Sequence, residues 1–148
     1  MIMTKQLKNI SEPKKALAYY SRGCAYSKKG EYDKAIRNYT SAIKLDPKYS
    51  AAYFNRGYDY GEKCEHDKAI KDYTKVIKLN PKDAVAYYNR GFDYGEKGEH
   101  DKATKDYTKV IKLDPKFAAA YSNRGVNYGK KGKYDKEIKD CSKAIELD

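Results

Sequence analysis

The apolar positions of the chain follow a helical rhythm. Tyr19, Gly23 and Tyr26 are spaced by four and three residues, which places them on one face of a helix. After a turn marked by Gly30 comes a second apolar stripe, which ends before Pro47 because the residue before a proline avoids helical geometry. The members of that second stripe are Ala35, Ile36, Tyr39, Ala42 and Ile43. This pattern predicts a hairpin of two short, antiparallel helices.

The hairpin recurs with a period of 34 residues and appears in full between Tyr87 and Pro115. A fixed period of this length is typical of stacked repeats, in which each unit buries its apolar face against the next. We therefore predict an all-α fold, an α-solenoid of four antiparallel helix-turn-helix repeats. The predicted parts are an N-terminal tail and helix start at 1–15, three repeats at 16–49, 50–83 and 84–117, and a slightly short, uncapped repeat at 118–148.

The recurring positions resemble the tetratricopeptide repeat, whose pattern has aromatic and small residues in the first helix, an Ala in the second and a closing Pro. In the second unit these positions are Tyr53, Gly57, Tyr60, Ala69 and Pro81. The resemblance covers about residues 16–148. It implies a right-handed superhelix in which the first helices line a concave groove and the second helices form a convex back.

One departure from that pattern predicts ion pairs. The family usually has Leu three residues after the first aromatic, but all four units here have Arg, as in Arg90, and most second helices carry an Asp in a matching place, as in Asp106. A charge near the packing layer needs a partner, because an unpaired buried charge costs several kcal/mol. We therefore expect Arg–Asp pairs within or between repeats. A second departure is Cys64, which replaces the turn glycine and should strain a left-handed backbone.

The groove implied by the resemblance supplies the candidate binding residues. Asparagine recurs in it at full period, and in some members of this family a similar ladder of asparagines holds the backbone of an extended peptide; an amide side chain can both donate to and accept from a peptide unit. Support of the helix stack is the alternative role for these asparagines. The candidate groove residues are Tyr20, Phe54, Asn55, Tyr58, Glu62, Tyr88, Asn89, Phe92, Glu96 and Asn123. With Asp59 and Asp93 added to Glu62 and Glu96, the groove should favour a basic or mixed apolar peptide.

Some members of the family instead bind acidic C-termini through a clamp of Lys, Asn and Arg side chains. Carried over residue by residue, that clamp agrees with this sequence only at Asn55, and moving it by one repeat again leaves one match. We therefore do not expect an acidic C-terminus as the ligand.

Charge and exposed helix faces offer two alternatives to peptide binding. The formal net charge is +11, but 27 of the 32 basic residues are Lys, which lacks the bidentate geometry of Arg. The second helices carry lysine stripes, Lys68, Lys71, Lys75, Lys78 and Lys82 with Lys102, Lys105, Lys109, Lys112 and Lys116. We interpret them as a solvated face, with nucleic acid or an anionic surface as the alternative. Self-association is the other alternative, through an apolar face of the last helix made of Ile138, Cys141, Ala144 and Ile145.

Little in the sequence points to catalysis, so we expect a protein that is not an enzyme and binds no cofactor or metal. His66 and His100 stand where the other repeats have Tyr, and Cys64 and His66 are too few ligands for zinc. No stretch approaches the roughly 18 consecutive apolar residues of a membrane span. An odd number of cysteines, Cys24, Cys64 and Cys141, together with the absence of a secretory signal, favours a reduced cytoplasmic setting.

Overall fold

The computed structural model describes residues 11–148, which form eight α-helices. They are α1 (Glu12–Lys28), α2 (Tyr32–Leu45), α3 (Ser50–Glu62), α4 (His66–Leu79), α5 (Ala84–Glu96), α6 (His100–Leu113), α7 (Ala118–Lys130) and α8 (Tyr134–Leu147). The helix start predicted within 1–15 is present: α1 begins at Glu12, with Pro13 in its first turn. The predicted N-terminal tail, residues 1–10, lies outside the described part of the chain.

The helices stack as hairpins, so the predicted all-α solenoid is confirmed. Each first helix packs on the second helix of its own repeat, and each second helix packs on the first helix of the next repeat. Successive first helices (α1, α3, α5, α7) also touch one another, whereas over residues 11–148 successive second helices do not. The first helices therefore lie on the more tightly packed side of the stack, which we call the inner face; the second helices form the outer face.

The turns inside the hairpins require a left-handed residue. Gly30, Gly98 and Gly132 have φ of 74°, 75° and 71°, and Cys64 adopts the same conformation with φ of 58°. A side chain on Cβ is disfavoured there by steric crowding with the following carbonyl oxygen. The left-handed backbone expected at Cys64 is thus present, and its cost in stability stays a prediction.

Replacing Cys64 with Gly should raise the free energy of unfolding by about 1 kcal/mol, because Gly relieves the steric cost of positive φ. Cys64 is exposed, so little packing is lost. Urea denaturation followed by circular dichroism checks this value. Cys64→Ala is the matched control: it removes the thiol but keeps Cβ, and it should leave stability within about 0.5 kcal/mol of the original. A Gly variant no more stable than the Ala variant would contradict the prediction.

The core lies in the layer between the two helices of each hairpin. Tyr39, Tyr73 and Tyr107 are its largest side chains and are at most 2% exposed. Each ring lies against the glycine of the facing first helix; a Cβ added at Gly91 would come within 3.2 Å of both Asp106 Cβ and the Tyr107 ring. Glycine at this position therefore lets the helices approach closely.

The expected Arg–Asp pairs form within repeats, and their geometry is bidentate. The Arg90 Nε and Nη2 atoms donate to the two carboxylate oxygens of Asp106, each over 2.8 Å, and Nη1 donates to Thr74 Oγ1 of the preceding repeat over 3.1 Å. Arg56 and Arg124 repeat the same set with Asp72 and Asp140. Each Arg thus joins the helices of its own hairpin and also the neighbouring repeat.

Candidate peptide-binding groove

The predicted groove residues divide into an exposed set and a half-buried set on the inner face. Tyr58 and Phe92 are 49% and 50% exposed, although they are large and aromatic. Glu62 and Glu96, one helical turn further on, are also exposed. Each pair of neighbouring first helices therefore presents aromatic surface beside a carboxylate.

The other predicted aromatics lie deeper. Tyr20, Phe54 and Tyr88 are half-buried, with ring centroids 5.9, 5.5 and 5.6 Å from those of Tyr39, Tyr73 and Tyr107. Tilted and edge-to-face arrangements at these distances are favourable. These three rings therefore join the hairpin layer to the inner face, where they are only partly exposed.

The three asparagines of the ladder are not equivalent. Asn55 donates to the Tyr20 hydroxyl over 3.1 Å, and Asn123 donates to the Tyr88 hydroxyl over 2.9 Å. The corresponding partner of Asn89 is Phe54, which has no hydroxyl, and the Asn89 side chain makes no hydrogen bond within residues 11–148. Of the three recurring asparagines, Asn89 is therefore the one whose side-chain NH2 group and carbonyl oxygen make no hydrogen bond within residues 11–148.

Asn89 lies in a cleft between α3 and α5. The cleft has a volume of about 240 Å³, below the range of about 300–1,000 Å³ usual for small-molecule pockets. It therefore suits one side chain and a short piece of backbone better than a cofactor. The residues that line it are Tyr58, Gly61, Glu62, Tyr73, Tyr88, Asn89, Phe92 and Asp93. It brings together five of the predicted groove residues, whereas Tyr20, Phe54, Asn55, Glu96 and Asn123 lie outside it.

A second, similar cleft lies one repeat further along, between α5 and α7. It contains Phe92, Glu96 and Asn123 of the predicted set, together with Val126 and Lys130. Here the wall opposite Phe92 is a valine instead of an aromatic ring, and Asn123 is already bonded to Tyr88. The inner face thus has two such clefts one repeat apart, and the one between α3 and α5 is the more aromatic.

Two carboxylates expected at the edge of the groove are buried instead, which corrects that expectation. The Asp59 side chain is fully buried at the junction of the first two repeats, where one oxygen accepts from Ser27 Oγ over 2.7 Å. Its Oδ2 atom is buried with no hydrogen-bond partner in residues 11–148. Burial raises the pKa of Asp59 to about 6, and the Ser27 hydrogen bond opposes this shift.

Asp93 occupies the same position at the next junction but has a better partner. Its Oδ1 atom lies 2.7 Å from Nδ1 of His66, and burial raises the pKa of Asp93 against the opposing effect of that contact. At the following junction His100 Nδ1 lies 2.8 Å from Asn127 Oδ1. The two histidines therefore hold adjacent repeats together, each through a polar contact that its place in the sequence did not predict.

Charge varies along the exposed edge of the inner face. The position of Glu62 and Glu96 is held by Lys28 in the first repeat and Lys130 in the last. At this position negative charge is therefore confined to the two central repeats. The cleft between α3 and α5 contains Glu62, whereas the cleft between α5 and α7 contains both Glu96 and Lys130.

The lysine stripes lie on the second helices, and part of each is engaged within the chain. Lys68 and Lys102 form ion pairs with Glu65 and Glu99. Lys75 and Lys109 lie over the rings of Tyr53 and Tyr87, 5.8 and 5.9 Å from the ring centroids, which is within the range of cation–π attraction. An anionic partner for these stripes stays a prediction.

The described residues contain neither a cluster of metal ligands nor a membrane-spanning helix. Nowhere from Ser11 to Asp148 do three or more His, Cys, Asp or Glu side chains come together as a metal site would require. Within the same range, no helix has the length and apolar character needed to cross a membrane.

The family assignment follows from comparison with known proteins. Models described as tetratricopeptide repeat match residues 16–49, 50–83, 84–117 and 118–148. The chain therefore belongs to the tetratricopeptide repeat family, as the sequence pattern predicted. None of the curated proteins compared with the chain matches it.

Solved structures of the same architecture are numerous, and three illustrate the range. A crystal structure of MamA is 33% identical, covers 97% of this chain and 83% of its own, and has a TM-score of 0.89. MamA residues 41 to the end, from Desulfovibrio magneticus RS-1, are 23% identical over 89% of this chain and 75% of that one, with a TM-score of 0.86, and indicate the fold alone. The first tetratricopeptide domain of Spaghetti (RPAP3), bound to the HSP90 peptide SRMEEVD, is 28% identical over 81% of this chain and 95% of that one, with a TM-score of 0.78.

These relationships define the general class of activity. Tetratricopeptide repeat proteins are generally non-enzymatic scaffolds, and the fold of this chain supports a role in protein–protein interaction. The RPAP3 domain is an example of such a fold with a peptide bound.

Proposed function

We propose that this chain is a scaffold that holds an extended peptide or partner segment along its inner face, centred on the cleft between α3 and α5. The single observation that carries the proposal is the state of Asn89. Its amide is half-buried beside exposed Tyr58, Glu62 and Phe92, yet it makes no hydrogen bond within residues 11–148. Asn89 has no buried unpaired atom, so its amide reaches solvent, and a ligand that replaces water there would add a hydrogen bond worth about 0.5–1.5 kcal/mol.

The chemistry of the cleft favours a basic or mixed apolar segment. A Lys or Arg side chain entering it could lie against the faces of Tyr58 and Phe92 while its charge approaches Glu62. The Asn89 amide could then donate to and accept from the backbone of the segment without reading its sequence. Burial raises the pKa of Tyr73, so the phenol lining the cleft stays protonated and neutral.

The peptide bound by RPAP3 ends in an acidic sequence, and we do not extend that ligand to this chain. Tyr20, Cys24, Val85 and Asn89 stand where a carboxylate clamp would need Lys, Asn, Lys and Arg. The central inner face also carries Glu62 and Glu96, which would repel an acidic peptide. The proposal retains the cytoplasmic setting expected from the sequence, where Cys24, Cys64 and Cys141 would stay as the free thiols they are in this structure.

Selection from a random dodecapeptide library displayed on phage, followed by calorimetric titration of the selected peptides, tests the proposal. We expect the selected sequences to be enriched in Lys or Arg next to apolar residues. Asn89→Ala should weaken their binding about tenfold, the equivalent of about 1.4 kcal/mol for one or two lost hydrogen bonds.

Phe54→Tyr tests the role of Asn89 more specifically than Asn89→Ala does. It adds the hydroxyl that Tyr20 and Tyr88 offer to Asn55 and Asn123, so it should engage Asn89 inside the chain and weaken peptide binding while stability is kept or raised. Lys105→Ala on the outer face is the control and should bind like the original chain. The proposal is wrong if the selected peptides bind both inner-face variants as tightly as the original, or if only the Lys105 variant loses affinity.

A further inference from the structure

The last helix leaves uncovered a face that its counterparts in the other repeats bury. Tyr134, Ile138 and Ile145 on α8 are 65%, 64% and 77% exposed. Their equivalents in the first three repeats are all half-buried, since each is covered by the next repeat. Those equivalents are Tyr32, His66 and His100; Ile36, Ile70 and Thr104; and Ile43, Ile77 and Ile111.

Nothing within residues 11–148 covers the complementary face of the first helix. Ala18, Arg22 and Ala25 on α1 are exposed. The equivalent residues of α3, which packs on the preceding repeat, are Ala52, Arg56 and Asp59; Ala52 and Asp59 are fully buried and Arg56 is half-buried. The exposed face of α1 therefore corresponds to the face that α3, α5 and α7 each pack against the preceding repeat.

The two end faces carry the same polar residues that pair across the internal junctions, one partner on each face. At the three junctions a lysine at the end of a first helix pairs with an aspartate of the preceding repeat: Lys63 with Asp33 at 2.6 Å, Lys97 with Asp67 at 2.5 Å and Lys131 with Asp101 at 2.6 Å. The next members of the two series are Lys29 in the first repeat and Asp135 in the last. Both residues are exposed, and no ion pair of Asp135 occurs within residues 11–148.

The hydrogen bonds from arginine to threonine between repeats form a second series whose next members lie on the two end faces. Arg56, Arg90 and Arg124 donate through Nη1 to Thr40, Thr74 and Thr108 of the preceding repeat over 3.0 to 3.1 Å. In the same register Arg22 would meet Ser142, which keeps the hydroxyl acceptor. At the internal junctions His66 contacts Asp93 and His100 contacts Asn127. In the same register Tyr134 of the last repeat would face Ala25 of the first, which is a contact between an aromatic ring and a methyl group.

The geometry points to a second copy of this chain as the occupant: α1 of one copy packs on α7 and α8 of another in the register of the internal junctions, with Lys29 opposite Asp135 and Arg22 opposite Ser142. Such a head-to-tail contact joins two different surfaces, so it can continue from copy to copy unless the chain of copies closes. It leaves the inner-face cleft free and does not rest on the peptide-binding proposal.

Sedimentation velocity over a concentration series tests this contact with one variant for each face. Ala18→Arg places a long charged side chain where the internal junctions bury a methyl group, and Ile145→Lys places a charge where they half-bury an isoleucine. Ala18 and Ile145 are both exposed, so each variant should fold normally by circular dichroism. The original chain should sediment as species that grow beyond a dimer with concentration. Each variant alone should associate at least about tenfold more weakly.

The mixture of the two variants gives the decisive result. Each variant retains one intact face, so an equimolar mixture should form a heterodimer that grows no further. Charge exchange gives a second check: Lys29→Glu should weaken association and the double variant Lys29→Glu, Asp135→Lys should restore it. The proposal is overturned if the original chain stays monomeric at every concentration, if only the Ile145 variant dissociates and the mixture forms no heterodimer, or if both variants associate like the original chain.

Discussion

Replacing Asp106 with Ala should lower the free energy of unfolding by about 3–5 kcal/mol, the cost usual for removing one partner of a buried ion pair. Asp106 is 4% exposed and accepts two hydrogen bonds from Arg90, whose side chain is only 16% exposed. The substitution would leave that guanidinium in the packing layer with Thr74 as its remaining hydrogen-bond partner. Urea denaturation followed by circular dichroism measures the loss.

Two controls separate this effect from a general loss of charge. Asp106→Asn keeps one acceptor, as in the first repeat where Arg22 Nε donates to Asn38 over 2.6 Å, and it should cost less than the Ala substitution. Asp101→Ala removes only an exposed ion pair with Lys131 and should cost about 0.2–1 kcal/mol. A loss below about 1 kcal/mol for Asp106→Ala would contradict the structural role of the pair.

Replacing Asp59 with Asn should stabilise the chain at neutral pH by about 2–3 kcal/mol. The carboxylate is fully buried with one oxygen unpartnered, and its pKa is raised to about 6, about two units above an ordinary Asp near 3.9. An Asn in this place has a precedent in Asn127, whose amide donates to the carbonyl of Asn123 over 2.8 Å. In the Asp59→Asn variant the side-chain NH2 group would donate in the same way to the backbone carbonyl of Asn55, so the position of the unpartnered Oδ2 atom would gain a hydrogen bond.

The sign of the pH dependence follows from the raised pKa. The neutral acid is preferred in the folded chain, so this contribution to stability is fully present below about pH 4 and is lost as pH rises through about 6. The advantage of Asp59→Asn should therefore be largest at pH 7.5 and disappear near pH 4, as measured by denaturation at both values. Asp93→Asn is the matched control: its carboxylate already has His66 as a partner, so the gain should be smaller. If the Asp59→Asn variant is no more stable than the original chain at pH 7.5, this account of Asp59 is refuted.

The fold could be read from the sequence because repetition multiplies each signal. A single Tyr-Gly-Tyr spacing is ambiguous, but Gly23, Gly57, Gly91 and Gly125 all recur at the place where the two helices of a hairpin approach most closely. The Arg–Asp pairs could also be predicted, because a charge at an apolar position of the pattern requires a partner. Each of these inferences concerns contacts within one hairpin.

Contacts between hairpins were harder to predict. A helical period gives the face on which a residue lies but not how far the neighbouring repeat covers it, so Asp59 and Asp93 were expected at the groove edge although both are buried. A signal was present for Asp93 but not for Asp59: His66 replaces Tyr in the repeat that precedes Asp93, as His100 does before Asn127, whereas the repeat before Asp59 keeps Tyr32. Likewise Phe54, the ring without a hydroxyl, marks Asn89 as different from Asn55 and Asn123, but only the placement of the first helices side by side shows why.

The most direct test of the proposed groove is a nuclear magnetic resonance titration of the chain, labelled with ¹⁵N, with one of the selected dodecapeptides. We expect the largest shift changes to cluster on α3 and α5, at the backbone amides of Glu62 and Phe92 and at the side-chain amide of Asn89. Changes concentrated instead on the second helices, around Lys71 and Lys105, would contradict the proposed groove and place the binding surface on the outer face.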